Sequence, residues 1–495
     1  MSGQILIVGA GIAGLSAALA LGGKGRELVV IDRDPPPPET SADEAFASWE
    51  RRGVGHLRHS HAFLARLHIL IRDNYPELMR DLLAAGCREI AFADHLPPSL
   101  QKKYKPAPGD DDLVVLTSRR TTLELVMRRH VARREGVRFL NNTKMRGLLT
   151  ERTGGALRVR GVRIEDEAGL RDLHADIVID AAGKNSQALG WLRAEGLRIA
   201  EENAPAGIVY FTRHYRLRDG ADEPARGAVP SAGDLGFIKY GVFPADNRCF
   251  SITIAVPEIE MELRKAIVKP EIFDRVCAAL PGVARWTSPG VSLAVSRVLG
   301  MGELVSRWHH MLADGAPLAL DFFPLGDSLI RTNPLYGRGC SFAAIEAHIL
   351  RDVLDRSDDP VVRARLYHRK VWSELRPFYD VMVRQDAAAI RRARHALDPA
   401  YAPRLKARLL RGFAEDAVMP AIRDDPDLMR AAMRAFHMLE PPSLWLKDAG
   451  NITKIMRYWL RGRKRNAALY PPKLGPDRSE LLVSLGLSPL ADRPA

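Results

Sequence analysis

Apolar residues along the first 200 positions come in short buried runs separated by amphipathic stretches. "QILIVGAGIAGLSAALAL" predicts a buried strand, a tight turn and a helix, and "ELVVIDRD" a second strand ending in acid. "PPPPETSADE" reads as a loop, and Phe63 to Ala85 has helical spacing. "DDLVVLTSRR" predicts a strand running into the helix "TTLELVMRRHVARR"; "VRFLNN", "LRVRGVRIED" and "ADIVIDAAGKNS" predict further strands. This alternation is that of an α/β domain with a parallel sheet. From Gly207 to Pro257 the texture changes: "GIVYFTRHYRL", "GFIKYGVFP" and "CFSITIAV" are β-rich, aromatic and split by turns, as in a mixed or antiparallel sheet. "PLALDFFPLGDS" returns to the α/β texture, and after about residue 345 the chain reads as helical and basic.

These shifts divide the chain into an α/β first part (1–200), a β-rich insert (201–300), a return segment (301–360) and a basic helical region (361–495). The length of 495 residues and 46% hydrophobic content allow a large core. No apolar run is long enough to span a bilayer. The start lacks a basic n-region and its glycines fall at motif spacing, so it reads as mature structure, not a signal peptide. Four scattered cysteines form no metal-ligand pair and fit a reducing cytoplasm. A net charge of +13 favours anionic partners. No zinc pattern or nucleic-acid motif accompanies it, so a cofactor phosphate and a basic helical tail are the expected sinks, not nucleic acid.

Gly9, Gly11 and Gly14 form GxGxxG between the first strand and helix. That spacing gives a tight turn, a backbone a pyrophosphate can approach, and close helix–strand packing. Asp32, at the end of the next strand, is placed to accept ribose hydroxyls. The stretch "FPLGDSLIRTNPLYGRGCSFAA" supplies a second glycine-rich loop, with Asp327 after a buried strand and a helix after the loop. FAD has a pyrophosphate at one end, a ribityl chain in the middle and a flavin ring at the other. A second grip suits it better than it suits NAD.

Together these motifs resemble the FAD-dependent monooxygenases of the para-hydroxybenzoate hydroxylase fold. Within that family the branch they resemble holds squalene-epoxidase-like polyene epoxidases and flavin halogenase relatives. The likeness covers roughly residues 1–350. Gly9, Gly11, Gly14 and Asp32 match the ADP-binding motif; Arg120 in "SRRTTLELVMR" matches an arginine that opens a helix near FAD. "RRGVGHLRHSHAF" looks like a Gly-Val-Pro-Gln-x-x-His-x-His segment, with Gly55 and His56 in place of Pro-Gln. "ADIVIDAAGKNS" is similar to a strand–glycine motif, through Asp180, Gly183 and Ser186, although the commoner motif is Asp-Ala-Thr-Gly-Arg-Gly-Ser. "GDSLIRTNPLYGRG" matches the motif whose aspartate, here Asp327, holds the ribityl chain; Pro334, Gly337 and Gly339 would flank the ring.

The resemblance implies a glutathione-reductase-type FAD-binding domain, Rossmann-like, with an inserted substrate sheet. It implies insertion of one oxygen atom from O2 into a hydrophobic substrate, by epoxidation or hydroxylation, through a flavin C4a-hydroperoxide. NAD(P)H, or a partner flavin reductase, would supply electrons. Rival activities on the fold are reduction of prenyl double bonds, halogenation, and non-catalytic lipid binding. Against halogenation, no Trp-x-Trp-x-Ile-Pro motif is present and no lysine lies between Lys24 and Lys102. No catalytic residue is assigned.

His56, His59 and His61, with Arg58, are expected to line the flavin or its phosphates; a metal site and a structural role are the competing readings. Phe237, Tyr240 and Phe243 are candidates for an apolar substrate wall, with an ordinary core role as the competing reading for each taken singly. In the tail, Ile452, Ile455, Met456, Trp459 and Leu460 share one helical face beside "RGRKR". That face either packs on the body or makes a peripheral contact with an anionic membrane.

Overall fold

The computed structural model describes residues 3–23, 25–153, 156–227, 229–397 and 404–488. Its centre is a five-stranded parallel sheet in the order Phe322–Pro324, Ile177–Asp180, Gln4–Val8, Glu27–Ile31, Val137–Leu140. The four core-facing residues Ile5 to Val8 and their neighbours Leu28 to Ile31 are all buried. A strand covered on both faces has no room for polar alternation, which is why these segments read as unbroken apolar runs. The helices Ile12–Leu21 and Gly339–Arg356 pack against each other over this sheet. The edge strand from residue 322 is the return segment, so the central sheet is closed by a piece of chain distant in sequence.

A meander of Lys144–Thr153, Ala156–Asp166 and Gly169–His174 adjoins this body. Its first strand, "KMRGLLTERT", carries no clean alternation, because its residues are mostly half-exposed, and pattern reading passes over it. The helical stretch from Phe63 to Ala85 is two helices, Ala65–Asn74 and Pro76–Ala84. Tyr75 between them is non-helical (φ −138°, ψ 61°), as a residue before proline tends to be. "SADE" is not loop: Ser41 caps the helix Ala42–Ser48 through a reciprocal box with Glu44.

The antiparallel sheet runs in the order Ala232–Asp234, Lys239–Pro244, Cys249–Pro257, Ile208–Leu217, Ser292–Ala294, with Leu299–Met301 also paired to Ile208–Leu217. Its two faces differ. One carries Phe211, Tyr215, Phe250, Ile252 and Ile254 into a second hydrophobic core with the helices Pro270–Ala279 and Pro281–Thr287. The opposite face carries Tyr210, Thr212, His214, Ser251 and Thr253. A small sheet of Glu201–Pro205, Val305–His309 and Ile330–Arg331 ties insert to body.

Beyond residue 357 comes a 38-residue helix, Pro360–Leu397, followed by shorter helices that include Leu405–Phe413 and Ala449–Arg465. Among the described residues no helix is long and apolar enough to cross a membrane.

Candidate active site

Three loops meet at the carboxyl ends of the parallel strands, where such sheets bind ligands. Gly9 sits at φ +102°, and a Cβ there would lie 2.4 Å from the Ala181 carbonyl oxygen. A Cβ on Gly14 would lie 1.8 Å from the Gly9 carbonyl oxygen. These two glycines therefore close the turn and seat the helix. Gly11 is different: a Cβ there meets nothing within 4 Å. It faces open cleft at the N-terminus of Ile12–Leu21, whose first N–H groups have no side-chain cap. The third loop reaches the first at Gly326, where a Cβ would touch that of Ala13 at 2.7 Å. Gly183 N–H donates to Ser328 Oγ at 3.0 Å and stitches the second loop to the third.

Together the loops wall a cleft of about 370 Å³. Gly9, Gly11, Asp32, Arg120, Gly183, Asp327, Pro334, Gly337 and Gly339 line it. Gly14 and Asp180 lie beneath it. Asp180 is fully buried and accepts from Ser186 Oγ at 2.6 Å and from Ala182 N–H at 3.1 Å, so it shapes the loop from below.

One end of the cleft is a charge cluster. Arg51, which sequence reasoning missed, donates to Asp32 (2.9 Å), Asp34 (3.1 Å) and Glu124 (2.6 Å). Burial pushes the Asp32 carboxyl up, while Arg51 pulls it down. Burial likewise lowers Arg128, 3.8 Å from Asp32, to about 10. Glu124 also reaches Arg120, at 3.3 Å through its other oxygen.

Arg120 opens the helix Arg120–Ala132 and donates to His56 Nε2 at 2.5 Å and His61 Nε2 at 3.3 Å. Both rings thus offer Nε2 as acceptor, and His61 Nδ1–H donates to the His59 carbonyl at 2.9 Å. Burial first, then the Arg120 charge, pushes both histidines well below their ordinary value. They are neutral rings, not imidazolium acids, at neutral pH. With their Nε2 lone pairs occupied they make no metal site, and no group of three candidate ligands exists among the described residues. His59 turns away to Thr212 Oγ1 at 3.1 Å, the start of a hydroxyl chain through Thr253 to Ser60 on the cleft wall.

Asp327 has no hydrogen-bond partner among the described residues. Burial raises its carboxyl, and Arg331, Arg120 and Lys184 offset this in part. Behind the adjoining loop, Asn333 accepts from Tyr210 O–H at 2.7 Å and donates to Asp386 at 2.9 Å; Tyr336 O–H also donates to Asp386, at 2.9 Å. Burial pushes Asp386 up to about 6. The long helix thereby props the loop that carries Pro334 and Gly337, a tie between segments too distant to read from sequence.

Some expected residues lie elsewhere. Arg58 does not line the cleft; its guanidinium donates to the Phe46 (2.6 Å) and Trp49 (2.9 Å) carbonyls. Phe237 and Tyr240 are in the second core, where Tyr240 O–H donates to the Leu474 carbonyl at 3.0 Å. Tyr240 pairs with Ile254 and Phe243 with Ser251, so the two aromatics point to opposite faces. The three form no common wall. The apolar lining comes instead from Met145, Trp191, Met301, Leu304 and Val305.

This arrangement defines an α/β protein of the dinucleotide-binding type. Residues 4–317 match the FAD dependent oxidoreductase family (DAO), and the chain belongs to that family of enzymes. No curated protein sequence matches it. Three solved structures share the fold. The flavin-dependent brominase Bmp2 is 14% identical, with TM-score 0.55 over 93% of this chain and 100% of that one. PqsL of Pseudomonas aeruginosa, described as a probable FAD-dependent monooxygenase, is 18% identical, with TM-score 0.53 over 80% and 99%. The p-nitrophenol 4-monooxygenase PnpA of Pseudomonas putida DLL-E4 is 16% identical, with TM-score 0.53 over 89% and 98%.

The residues present fit FAD. The open face of Gly11 gives a pyrophosphate access to the helix N-terminus, and the unpartnered Asp327 carboxyl is a ready acceptor for linker hydroxyls.

Proposed function

We infer that the protein is an FAD-dependent monooxygenase that inserts one oxygen atom from O2 into a hydrophobic substrate, by epoxidation or hydroxylation. The observation that carries this reading is the make-up of this cleft. It combines a dinucleotide grip at Gly11 and Asp32, the free Asp327 carboxyl, and apolar walls of Met145, Trp191, Met301, Leu304 and Val305. Gly11 and the helix N-terminus would hold the pyrophosphate, Asp32 the ribose, and Asp327 the ribityl chain. Bound flavin would supply the redox chemistry and O2 activation. The chain's own part is to bind, orient and keep water out. Arg120 places a guanidinium against neutral His56 and His61, so the residues there would stabilise developing negative charge rather than transfer protons. We assign NAD(P)H, directly or through a reductase, as electron source. Similarity to the monooxygenases above supports the reading.

The test is to purify the protein, record its visible spectrum, and follow NAD(P)H oxidation with apolar alkenes and phenols under labelled O2. A yellow protein whose product carries one labelled oxygen supports the proposal. Halide incorporation assigns a halogenase and hydrogenation a prenyl reductase, and either result refutes it.

A further inference from the structure

The helix Leu405–Phe413 has no buried residue at all. Leu405, Leu409 and Leu410 are 70%, 60% and 61% exposed. A nine-residue helix gains little stability in water from its own hydrogen bonds and normally persists by burying an apolar stripe. Here the stripe exists: Leu405, Leu409 and Phe413 are spaced four apart, on one face. Phe413 is partly buried against the core around Ala417 and Leu428, while Leu405 and Leu409 are uncovered.

The stripe continues onto a second helix. The Phe413 ring lies 5.4 Å from that of Trp459. Ile455 and Tyr458 turn inward and pack on Ala417, Ala421 and Leu428. Trp459 and Leu460 stay outside, Leu460 at 78% exposure. The face expected from the sequence is therefore split: part of it anchors the helix and part joins the exposed leucines.

The rim is cationic. Residues 404–413 and 449–465 contain ten Lys and Arg and no Asp or Glu. Arg411, Arg463 and Lys454 are paired, with Glu415, Asp416 and Asp425. The other seven face no carboxylate at ion-pair distance among the described residues. This charge pattern selects the occupant. A second copy related by a two-fold axis would set the same patch against itself, cation on cation. A nucleic acid would satisfy the cations and leave the leucines and Trp459 in water. An anionic lipid surface satisfies both, with apolar side chains in the acyl boundary and Lys/Arg at the headgroups.

We propose that the paired helices Leu405–Phe413 and Ala449–Arg465 form a docking surface for anionic membranes, peripheral and reversible. The surface needs no spanning helix and is independent of the cleft.

The test is co-sedimentation of the purified full chain with vesicles of phosphatidylcholine, or of equal parts phosphatidylcholine and phosphatidylglycerol. Wild type should pellet with the anionic vesicles and be released by high salt. The triple variant Leu405→Ser, Leu409→Ser, Leu460→Ser should lose about tenfold or more in partition, with its melting temperature and FAD content unchanged. Arg404→Gln with Arg408→Gln and Arg457→Gln should weaken binding to anionic vesicles alone. Wild type that stays in the supernatant, or a triple serine variant that pellets equally, overturns the proposal. So does a solution dimer abolished by the serines, which assigns the patch to a second copy. Displacement from vesicles by duplex DNA that the serine variant binds equally well also overturns it.

Discussion

The two ends of the cleft solve the same problem with different materials. At the Asp32 end one buried arginine, Arg51, is surrounded by three carboxylates. At the other, Arg120 is matched mainly by neutral imidazoles, and Asp327 is left without a partner. The first end is electrostatically complete before any ligand arrives. The second keeps an unspent carboxyl at Asp327. Glu124, with one oxygen on each arginine, is the joint between them. The difference teaches that the carboxylates of the first end are already engaged within the protein, while the second leaves the Asp327 carboxyl free to accept from a ligand.

The largest effect should come from cutting the joint. Glu124→Ala takes the carboxylate from buried Arg120 and one of three from buried Arg51, and loss of one partner from such a cluster costs about 3–5 kcal/mol. Urea unfolding should show a fall of that size. A change within measurement error would mean the ends are not coupled.

Next, Gly14→Ala and Gly11→Ala separate packing from binding. Gly14→Ala forces a Cβ into the Gly9 carbonyl and should destabilise by roughly 1–3 kcal/mol or more. Gly11→Ala has room and should leave the melting temperature within a few degrees, while weakening FAD. Equal loss of stability in both variants would break the distinction.

Asp327→Ala should weaken flavin retention by about tenfold, on the order of one charge-assisted hydrogen bond. The apo protein should melt no lower than wild type, because the variant removes a carboxyl whose desolvation nothing repays in full. Lower apo stability with unchanged FAD affinity would reverse the roles assigned to the two ends.

Acid should act mainly through buried histidines. His59 and His214 are held at about 4, as are His95, His348 and His437. Their unfolded value lies near 6.5, so below it the unfolded chain binds more protons. Stability present above pH ~6.5 is lost as pH falls toward 4. Asp386 has the opposite sign: its folded value of about 6 exceeds the unfolded one, so its contribution is present near pH 4 and lost as pH rises through 6. Asp32, Asp180, Asp321, Asp327 and Glu346 are also raised by burial and share that sign. The lowered histidines, which include His56, His61, His309 and His368, outnumber these carboxyls, and the melting temperature should fall between pH 6.5 and 4.5. A flat profile over that range would contradict their burial as neutral rings.

The smallest effect belongs to Arg58→Ala. It should cost the tie to Phe46 and Trp49 and leave FAD affinity unchanged. A drop in affinity would return Arg58 to the cleft.

The sequence made one end far more legible than the other. Gly9, Gly11, Gly14 and Asp32 lie within one βαβ unit, where spacing alone encodes a close approach of backbone to ligand. Arg51 and Glu124 were invisible because their meaning depends on three segments converging, and an arginine or glutamate in a helix or loop is usually solvated. Asp327 could be found only because its glycine loop follows a buried strand. Asp386 sits in a long helix whose pattern gives no hint of the loop it props. Phe237 and Tyr240 misled for a simple reason: an aromatic strand has two faces, and periodicity does not say which one meets the ligand. The strand Ile208–Leu217 is buried on both.

The central claim is that this cleft grips FAD from both ends, with Gly11 and Asp327 as separate contacts. The most direct measurement is titration of the folded apo protein with FAD, followed by flavin fluorescence, for wild type, Gly11→Ala, Asp327→Ala and the double variant. The account predicts one FAD per chain for wild type, weaker binding in each single variant at unchanged fold, and additive losses in the double, as for sites that share no partner. A folded wild-type protein that binds no FAD, or single variants that bind as tightly as wild type, would contradict it.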